Sequence, residues 1–344
     1  MDKPICIITM GDPAGIGPEV IIKTLFSDRA QSDARMVVIG YPEPFVRDTK
    51  KLGIKLDINE ITYPEELNPA TNTINLIIPD NTITCPTIYG EVNADCGRAA
   101  GRCVEHATKL AMDKKADAVV TAPINKESFN LGGYNFPGHT EILRYLTGAS
   151  DVAMLLTHGN FRVAHVVTHT AISSVANKIY RGRIVRVAAL MNETLNILGI
   201  EKPHLAISGL NPHAGEAGMF GKKEIEEIIP AVEELKEMGI DVTGPMSPDT
   251  VFAKAYSGEF DGVVAMYHDQ GHIALKIVAF RFKEEGSQVC GVNTALGLPI
   301  IRTSVDHGTA FDIAGKGKAS PHSMIEAVEM ASKLAIGKKA RQKS

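Results

Sequence analysis

The chain has 344 residues, 44% of them hydrophobic, which allows two domains of ordinary size with real apolar cores and excludes disorder as the default. A formal net charge of -4 and a pI near 6.3 leave no electrostatic footprint for nucleic acid or anionic lipid, so a small-molecule partner is favoured. The cysteines, Cys6, Cys85, Cys96, Cys103 and Cys290, are odd in number and include no C-x-x-C pair; this argues against a disulfide framework or a zinc knuckle and fits reduced thiols in the cytoplasm.

The first apolar run, residues 5–9, leads into Gly-Asp-Pro and is too short for a signal segment, so it reads as a strand. Short apolar runs follow at 36–39, 74–78, 118–121, 152–156, 163–168, 205–208 and 263–266, each bounded by turn formers, and read as buried strands. Residues 98–112 place Ala99, Cys103, Ala107, Leu110 and Ala111 three or four apart, the spacing of one helical face. Helices are also expected at 222–238, before Gly239 as a C-cap, and at 324–336. Alternating strands and helices make this an α/β chain with largely parallel sheets. No stretch approaches the roughly 20 apolar residues of a membrane helix, and the basic stretch 337–344 reads as a solvated end.

Four polar stretches each directly follow an expected strand: Thr121-Ala-Pro-Ile-Asn-Lys126, Thr168-His-Thr170, Gly209-Leu-Asn-Pro-His-Ala-Gly-Glu216 and Tyr267-His-Asp-Gln-Gly-His272. Ligands of open α/β sheets bind outside the carboxyl ends of strands, so residues distant in sequence can converge there. A lone histidine in a turn is usually a hydrogen-bonded surface residue. Three from three strand ends, His169, His213 and His268, are instead a candidate set for a divalent ion. An ion so held keeps positions open for a substrate hydroxyl, and Lys276, eight residues past His268, is a candidate for proton transfer.

His139 and Thr140 offer donors and acceptors, Asn293 and Arg302 flank a Gly-Leu-Pro segment, and the Arg302 guanidinium suits a phosphate or carboxylate. Asp306 and His307 are candidates to border a cofactor, with a structural turn as the equal alternative. The stretch from Gly11 to Glu19 invites a dinucleotide reading, but the third glycine of G-x-G-x-x-G is missing.

At these motifs the chain resembles the 4-hydroxythreonine-4-phosphate dehydrogenase family of vitamin B6 synthesis, from Ile8-Thr-Met-Gly-Asp-Pro-Ala-Gly-Ile-Gly-Pro-Glu19 to Ser304-Val-Asp-His-Gly-Thr-Ala-Phe311. Gly138-His-Thr-Glu141, Asp249-Thr-Val-Phe252, Met266-Tyr-His-Asp-Gln-Gly271 and Gly297-Leu-Pro-Ile-Ile-Arg-Thr-Ser304 fall between them in order. The resemblance implies an isocitrate and isopropylmalate dehydrogenase-like fold of two α/β/α domains, 1–125 with 305–344 and 126–304, with the active site in the interdomain cleft of a homodimer that shares residues across its subunits.

It makes His169, His213 and His268 metal ligands, for zinc, cobalt, magnesium or manganese. His139, Thr140, Lys276, Asn293 and Arg302 become substrate contacts, and Lys276 and Asp249 the catalytic pair. Gly11, Asp306 and His307 remain the candidates beside NAD or NADP. The implied reaction oxidises the 3-hydroxyl of a 4-phosphorylated four-carbon acid and then releases carbon dioxide.

Two departures bear on the substrate. The stretch 278–290 is longer than in the vitamin B6 branch, and Gly271-His272-Ile273 with Met10-Gly-Asp12 is similar to the paralogous branch acting on 4-phospho-D-threonate or 4-phospho-D-erythronate. That branch is the expected one, with 4-phosphooxy-L-threonine as the alternative substrate and a phosphate acyltransferase-like enzyme as the more distant alternative.

Overall fold

The computed structural model describes residues 3–281 and 288–342, so the expected insertion at 278–290 lies partly outside the described residues. In chain order the strands are β1 (Ile5–Thr9), β2 (Arg35–Ile39), β3 (Asp57–Glu60), β4 (Thr73–Ile77), β5 (Ala118–Thr121), β6 (Ala153–His158), β7 (Phe161–Val167), β8 (Leu205–Ser208), β9 (Val242–Met246), β10 (Gly262–Tyr267), β11 (Phe280–Arg281), β12 (Gln288–Val289), β13 (Val292–Leu296) and β14 (Arg302–Val305). The α-helices are α1 (Gly17–Leu25), α2 (Asp28–Asp33), α3 (Pro42–Leu52), α4 (Ala94–Met112), α5 (Lys126–Leu131), α6 (His139–Thr147), α7 (Ile172–Lys178), α8 (Arg181–Ile197), α9 (Ile229–Glu237), α10 (Val251–Tyr256), α11 (His268–Ala279) and α12 (His322–Arg341).

The chain forms two compact units. In the first, made of Met1–Val152, Phe282–Val292 and Leu298–Lys339, the strand order is β3-β4-β2-β1-β5-β14 and every pairing is parallel. Its central strands are apolar but for Arg35 at the start of β2 and Thr9 and Thr121 at the ends of β1 and β5, because helices cover the sheet: Cys6, Ile7, Ile8, Val37 and Val38 are fully buried. In the second, Ala153–Arg281 with Asn293–Gly297 and Ala340–Ser344, the order is β13-β6-β7-β10-β8-β9. There β7, β10, β8 and β9 pair in parallel, and β6 joins β7 as an antiparallel hairpin.

The first boundary falls at Val152 and not at 125 as expected. The cause is packing against α4. Phe129, Ile142 and Leu143 are fully or almost fully buried in the first unit's core, and α4 receives this segment through two glycines. A Cβ on Gly97 would stand 1.8 Å from the Ser128 carbonyl oxygen, and one on Gly101 would stand 1.9 Å from the Tyr134 ring, which stacks on Phe129 at 4.8 Å. Residues 298–304 likewise belong to the first unit, because β14 pairs with β5.

The expected strands all form, within a residue or two of their limits. Strands β3 and β9 carry no sequence signal: β3 is the polar Asp-Ile-Asn-Glu, and β9 contains Gly244 and Pro245. Both lie at the outer edge of their unit's order, where a missing N–H or a polar face is tolerated.

Gly97→Ala should lower stability by about 1–3 kcal/mol through overpacking of backbone against backbone. Gly182→Ala, on α8 with only Tyr180 ring atoms nearby at 3.6 Å or beyond, should be neutral or stabilising. Urea midpoints compare the two, and a Gly97 variant as stable as wild type contradicts the packing argument.

Candidate active site

In the second unit the parallel neighbours β7, β10 and β8 end at the same edge and bring three histidine-bearing segments together. His169 lies two residues beyond β7, His268 opens α11 directly after β10, and His213 lies in the loop after β8. The His169 and His268 ring centroids are 5.8 Å apart. Two imidazoles sharing one ion at nitrogen–metal distances of about 2.1 Å place their centroids about 5 Å apart, so this pair suits a common ion. His268 Nδ1 lies 2.6 Å from Asp269 Oδ1. A proton on Nδ1, donated to that carboxylate, leaves the Nε2 lone pair available to a metal.

His213 is held differently. Residues His213 to Ala217 all have positive φ, a left-handed run in which only Gly215 lacks a side chain. Buried Glu224, in the π-helical turn Glu224–Ile228, anchors the start of this loop: it accepts from the Leu210 and Asn211 N–H groups at 2.9 and 2.7 Å and from Asn211 Nδ2 at 2.9 Å. Gln270 ties the loop to α11 by donating to the Gly209 carbonyl at 2.9 Å while accepting from Met266 N–H.

His213 acts electrostatically on Asp249, whose carboxyl is held below its usual range chiefly by hydrogen bonds from the Ser247 and Thr250 hydroxyls. The ligand nitrogens of His169, His213 and His268 do not all close to within 4.8 Å of one another. The structure therefore sets the His169 and His268 rings beside each other, with His213 farther off in its own loop.

Lys276 follows His268 and His272 at four-residue spacing on α11, with its Nζ 5.3 Å from the Phe280 ring. Asn293 is half-buried on β13. Behind His268, His272 stacks on it with centroids 3.6 Å apart and planes 12° apart, and His165 of β7 lies 4.7 Å from His272. Burial, and then the neighbouring histidines, push His165 down to about 3; His272 falls to about 4 for the same two reasons. Both are therefore neutral imidazoles at neutral pH.

In the first unit, Arg302 is buried on β14 and donates to Thr121 Oγ1 at the end of β5, 2.6 Å away. Burial lowers its pKa to about 10, partly opposed by Glu141, so the group stays cationic at neutral pH. His139, the first residue of α6, is held well below its usual range by burial and by Arg302. Thr140 follows it in the same turn. A neutral imidazole, a guanidinium whose Nε has no partner, and the N-terminus of a nine-residue helix make an anion-binding arrangement.

The cofactor candidates have structural partners. A Cβ on Gly11 (φ +73) would meet the Pro123 carbonyl at 2.4 Å, Asp306 N–H donates to Ser323 Oγ, and His307 Nδ1 bonds the Gly308 carbonyl at 3.0 Å. Asn125, within one of the four polar stretches, caps α5 by accepting from Ser128 N–H.

Several of these groups escape sequence reading. Glu224 and Glu141 look like ordinary helix carboxylates, and His165 lies inside an apolar strand. Asp12 hides in the glycine-rich turn: it is 1% exposed, Oδ1 accepts from Ala14 N–H, and Oδ2 has no partner within the usual hydrogen-bond limits.

Two α/β units with polar groups beyond the carboxyl ends of parallel strands make this a mixed α/β protein, and solved structures similar to it have the isocitrate dehydrogenase-like fold. Residues 32–331 match the family described as pyridoxal phosphate biosynthetic protein PdxA, and the chain belongs to that family. It is 45% identical over 337 residues to D-threonate 4-phosphate dehydrogenase of Cupriavidus necator, covering 96% of this chain and 97% of the relative. The same-named enzyme of Salmonella typhimurium is 43% identical, with 97% and 100% coverage. Among solved structures, 4-hydroxythreonine-4-phosphate dehydrogenase from Klebsiella pneumoniae superposes with a TM-score of 0.84 at 41% identity, covering 97% of this chain and 100% of that one. The chain is accordingly an oxidoreductase of the dehydrogenase type, and none of the helices among its described residues is long and apolar enough to cross a membrane.

Burial raises the Asp12 carboxyl from 3.8 to about 6, against the opposing Ala14 hydrogen bond. Between these values the folded state keeps a proton that the unfolded state has lost, so this group makes stability fall as pH rises through that window. Asp12→Asn should therefore gain Tm relative to wild type as pH increases, with little difference near pH 4 and a plateau above about pH 7. A difference that does not vary with pH contradicts the assignment.

Proposed function

We propose that this enzyme oxidises D-threonate 4-phosphate, and its epimer 4-phospho-D-erythronate, at C3 with NAD or NADP as acceptor, followed by decarboxylation. The observation that carries this reading is the 40–45% identity, over 95–97% of the chain, to relatives named for D-threonate 4-phosphate. The arrangement of Arg302 and His139 supports it, because it suits a strongly anionic substrate.

In the proposed site Arg302 binds an anionic end of the substrate through its guanidinium fork, and His139 and Thr140 supply neutral hydrogen bonds beside it. Asn293 contributes a further polar contact. His169 and His268, whose rings lie beside each other, would hold a divalent ion together with His213 once the His213 loop closes on it, with Asp269 orienting His268. When bound, the ion supplies Lewis acidity at the C3 oxygen and the nicotinamide accepts the hydride.

Lys276 takes the C3 hydroxyl proton as hydride leaves that carbon, giving a 3-keto acid. The C1–C2 bond then breaks, carbon dioxide departs, and the remaining electron pair is protonated at C2. Asp249, kept ionised by Ser247 and Thr250, serves with Lys276 in these proton transfers. Gly11, Asp306 and His307 stand beside the nicotinamide cofactor in this reading. The enzyme acts in the cytoplasm as a homodimer.

The test is turnover on D-threonate 4-phosphate, 4-phospho-D-erythronate and 4-phosphooxy-L-threonine under identical metal conditions. The expected result is nicotinamide reduction with the highest kcat/KM on D-threonate 4-phosphate, lost on chelation and restored by added metal. Reduction with 4-phosphooxy-L-threonine alone would move the substrate to the vitamin B6 branch, and no reduction with any of the three sinks the proposal.

Arg302→Met should raise KM on the order of 100-fold, the worth of charge-assisted hydrogen bonds. It should leave the Tm of the unliganded protein unchanged or higher, because it removes a buried, incompletely paired cation.

A further inference from the structure

Helix α11 approaches β7 with almost nothing between them. A Cβ on Gly271 would stand 2.4 Å from His165 Nε2 and 2.7 Å from Val163 Cγ1, so the helix backbone rests on the His165 ring. Neither ring nitrogen of His165 meets the usual hydrogen-bond limits, although the side chain is fully buried and the Met154 backbone is the polar group nearest to bonding it. A buried polar ring with so little hydrogen bonding has a cost, and its packing contacts are what place it. Its contacts do: His165 touches Gly271 and packs beside His272, and His272 stacks on His268.

His272 is fixed in turn. Its Nδ1 lies 3.0 Å from the His268 carbonyl oxygen, which can only accept, so Nδ1 carries the proton. His268 is thus held on its face by an imidazole of defined orientation and at Nδ1 by Asp269 at 2.6 Å. His165 and His169 belong to the same strand and its exit, four residues apart, so the spacing between β7 and α11 also governs the spacing of His169 and His268.

We propose that Asp269, His272 and His165 are positioning residues for the metal ligand His268. Asp269 selects the tautomer that presents Nε2, and the His165–His272 pair sets the plane and height of the ring. The inference rests on the metal-binding reading of His169 and His268. In this inference the ion is bound by Nε2 of His268, and the three side chains act on that ring alone.

The test is titration of the metal-free full-length protein with Co(II), followed by visible absorption, with the Tm of each metal-free variant recorded alongside. Asp269→Ala and His272→Leu should each weaken Co(II) binding about 10- to 100-fold, the usual effect of removing a partner of a metal ligand. His272→Phe, which keeps a stacking ring and loses the hydrogen bond, should bind more tightly than His272→Leu and keep the wild-type absorption envelope. A purely structural role for His272 predicts instead that affinity follows Tm whichever side chain is present.

Wild-type affinity in both Asp269→Ala and His272→Leu, with one equivalent bound by wild type and none by His268→Ala, overturns the positioning role and leaves the metal site standing. If wild type binds no Co(II), or His268→Ala binds it as wild type does, the metal reading fails and this inference falls with it.

Discussion

Parallel pairing is the constraint on which the rest depends. Strands that run the same way deliver all their carboxyl ends to one edge, and the connections leaving that edge are free of the demands of core packing. In the second unit, β7, β10 and β8 each carry a buried interior, apolar but for His165 and the half-buried Arg162 of β7, and then, within a few residues, a candidate histidine. In the first, Arg302 opens β14 opposite Val119 of β5, and its guanidinium reaches along the strand to Thr121 Oγ1 at the end of β5. The candidate site is assembled by the pairing of strands, because no local stretch of sequence contains more than one of the three histidines His169, His213 and His268.

The interior strands and the polar residues after them are legible in the sequence because burial on both faces imposes an uninterrupted apolar run, and such runs are rare elsewhere. The edge strands β3 and β9 are not legible, since an edge relaxes that requirement. The domain limit is hidden for another reason. Gly97 and Gly101 within α4 read as weak helix formers, and only the neighbouring Ser128 and Tyr134 show that they are docking points for the next segment. A residue whose importance lies in what it lacks has no sequence signature without its partner.

The candidate site divides along similar lines. Histidines, Lys276 and Arg302 are visible because their chemistry is specific to few tasks. The groups that prepare them are carboxylates and a strand histidine with commoner explanations. Glu224 could have been any solvated glutamate of a helix; its burial and three donors follow from the loop folding back on it. Asp269 was in view within its motif, but its bond to His268 Nδ1 depends on the first turn of α11.

The left-handed run from His213 to Ala217 has a consequence for how occupancy is felt. Each non-glycine residue in that conformation lies roughly 1–2 kcal/mol uphill, and four of the five are not glycine. Glu224 and Gln270 anchor the start of the loop and backbone bonds from Met219 and Phe220 close its end, so local opening there is cheaper than in the sheet behind it. An ion taken up at His213, as proposed, draws on the same free energy that keeps the loop closed. Under that proposal binding would double as a latch, and the amides of this loop would be the part of the chain that reports whether the site is filled.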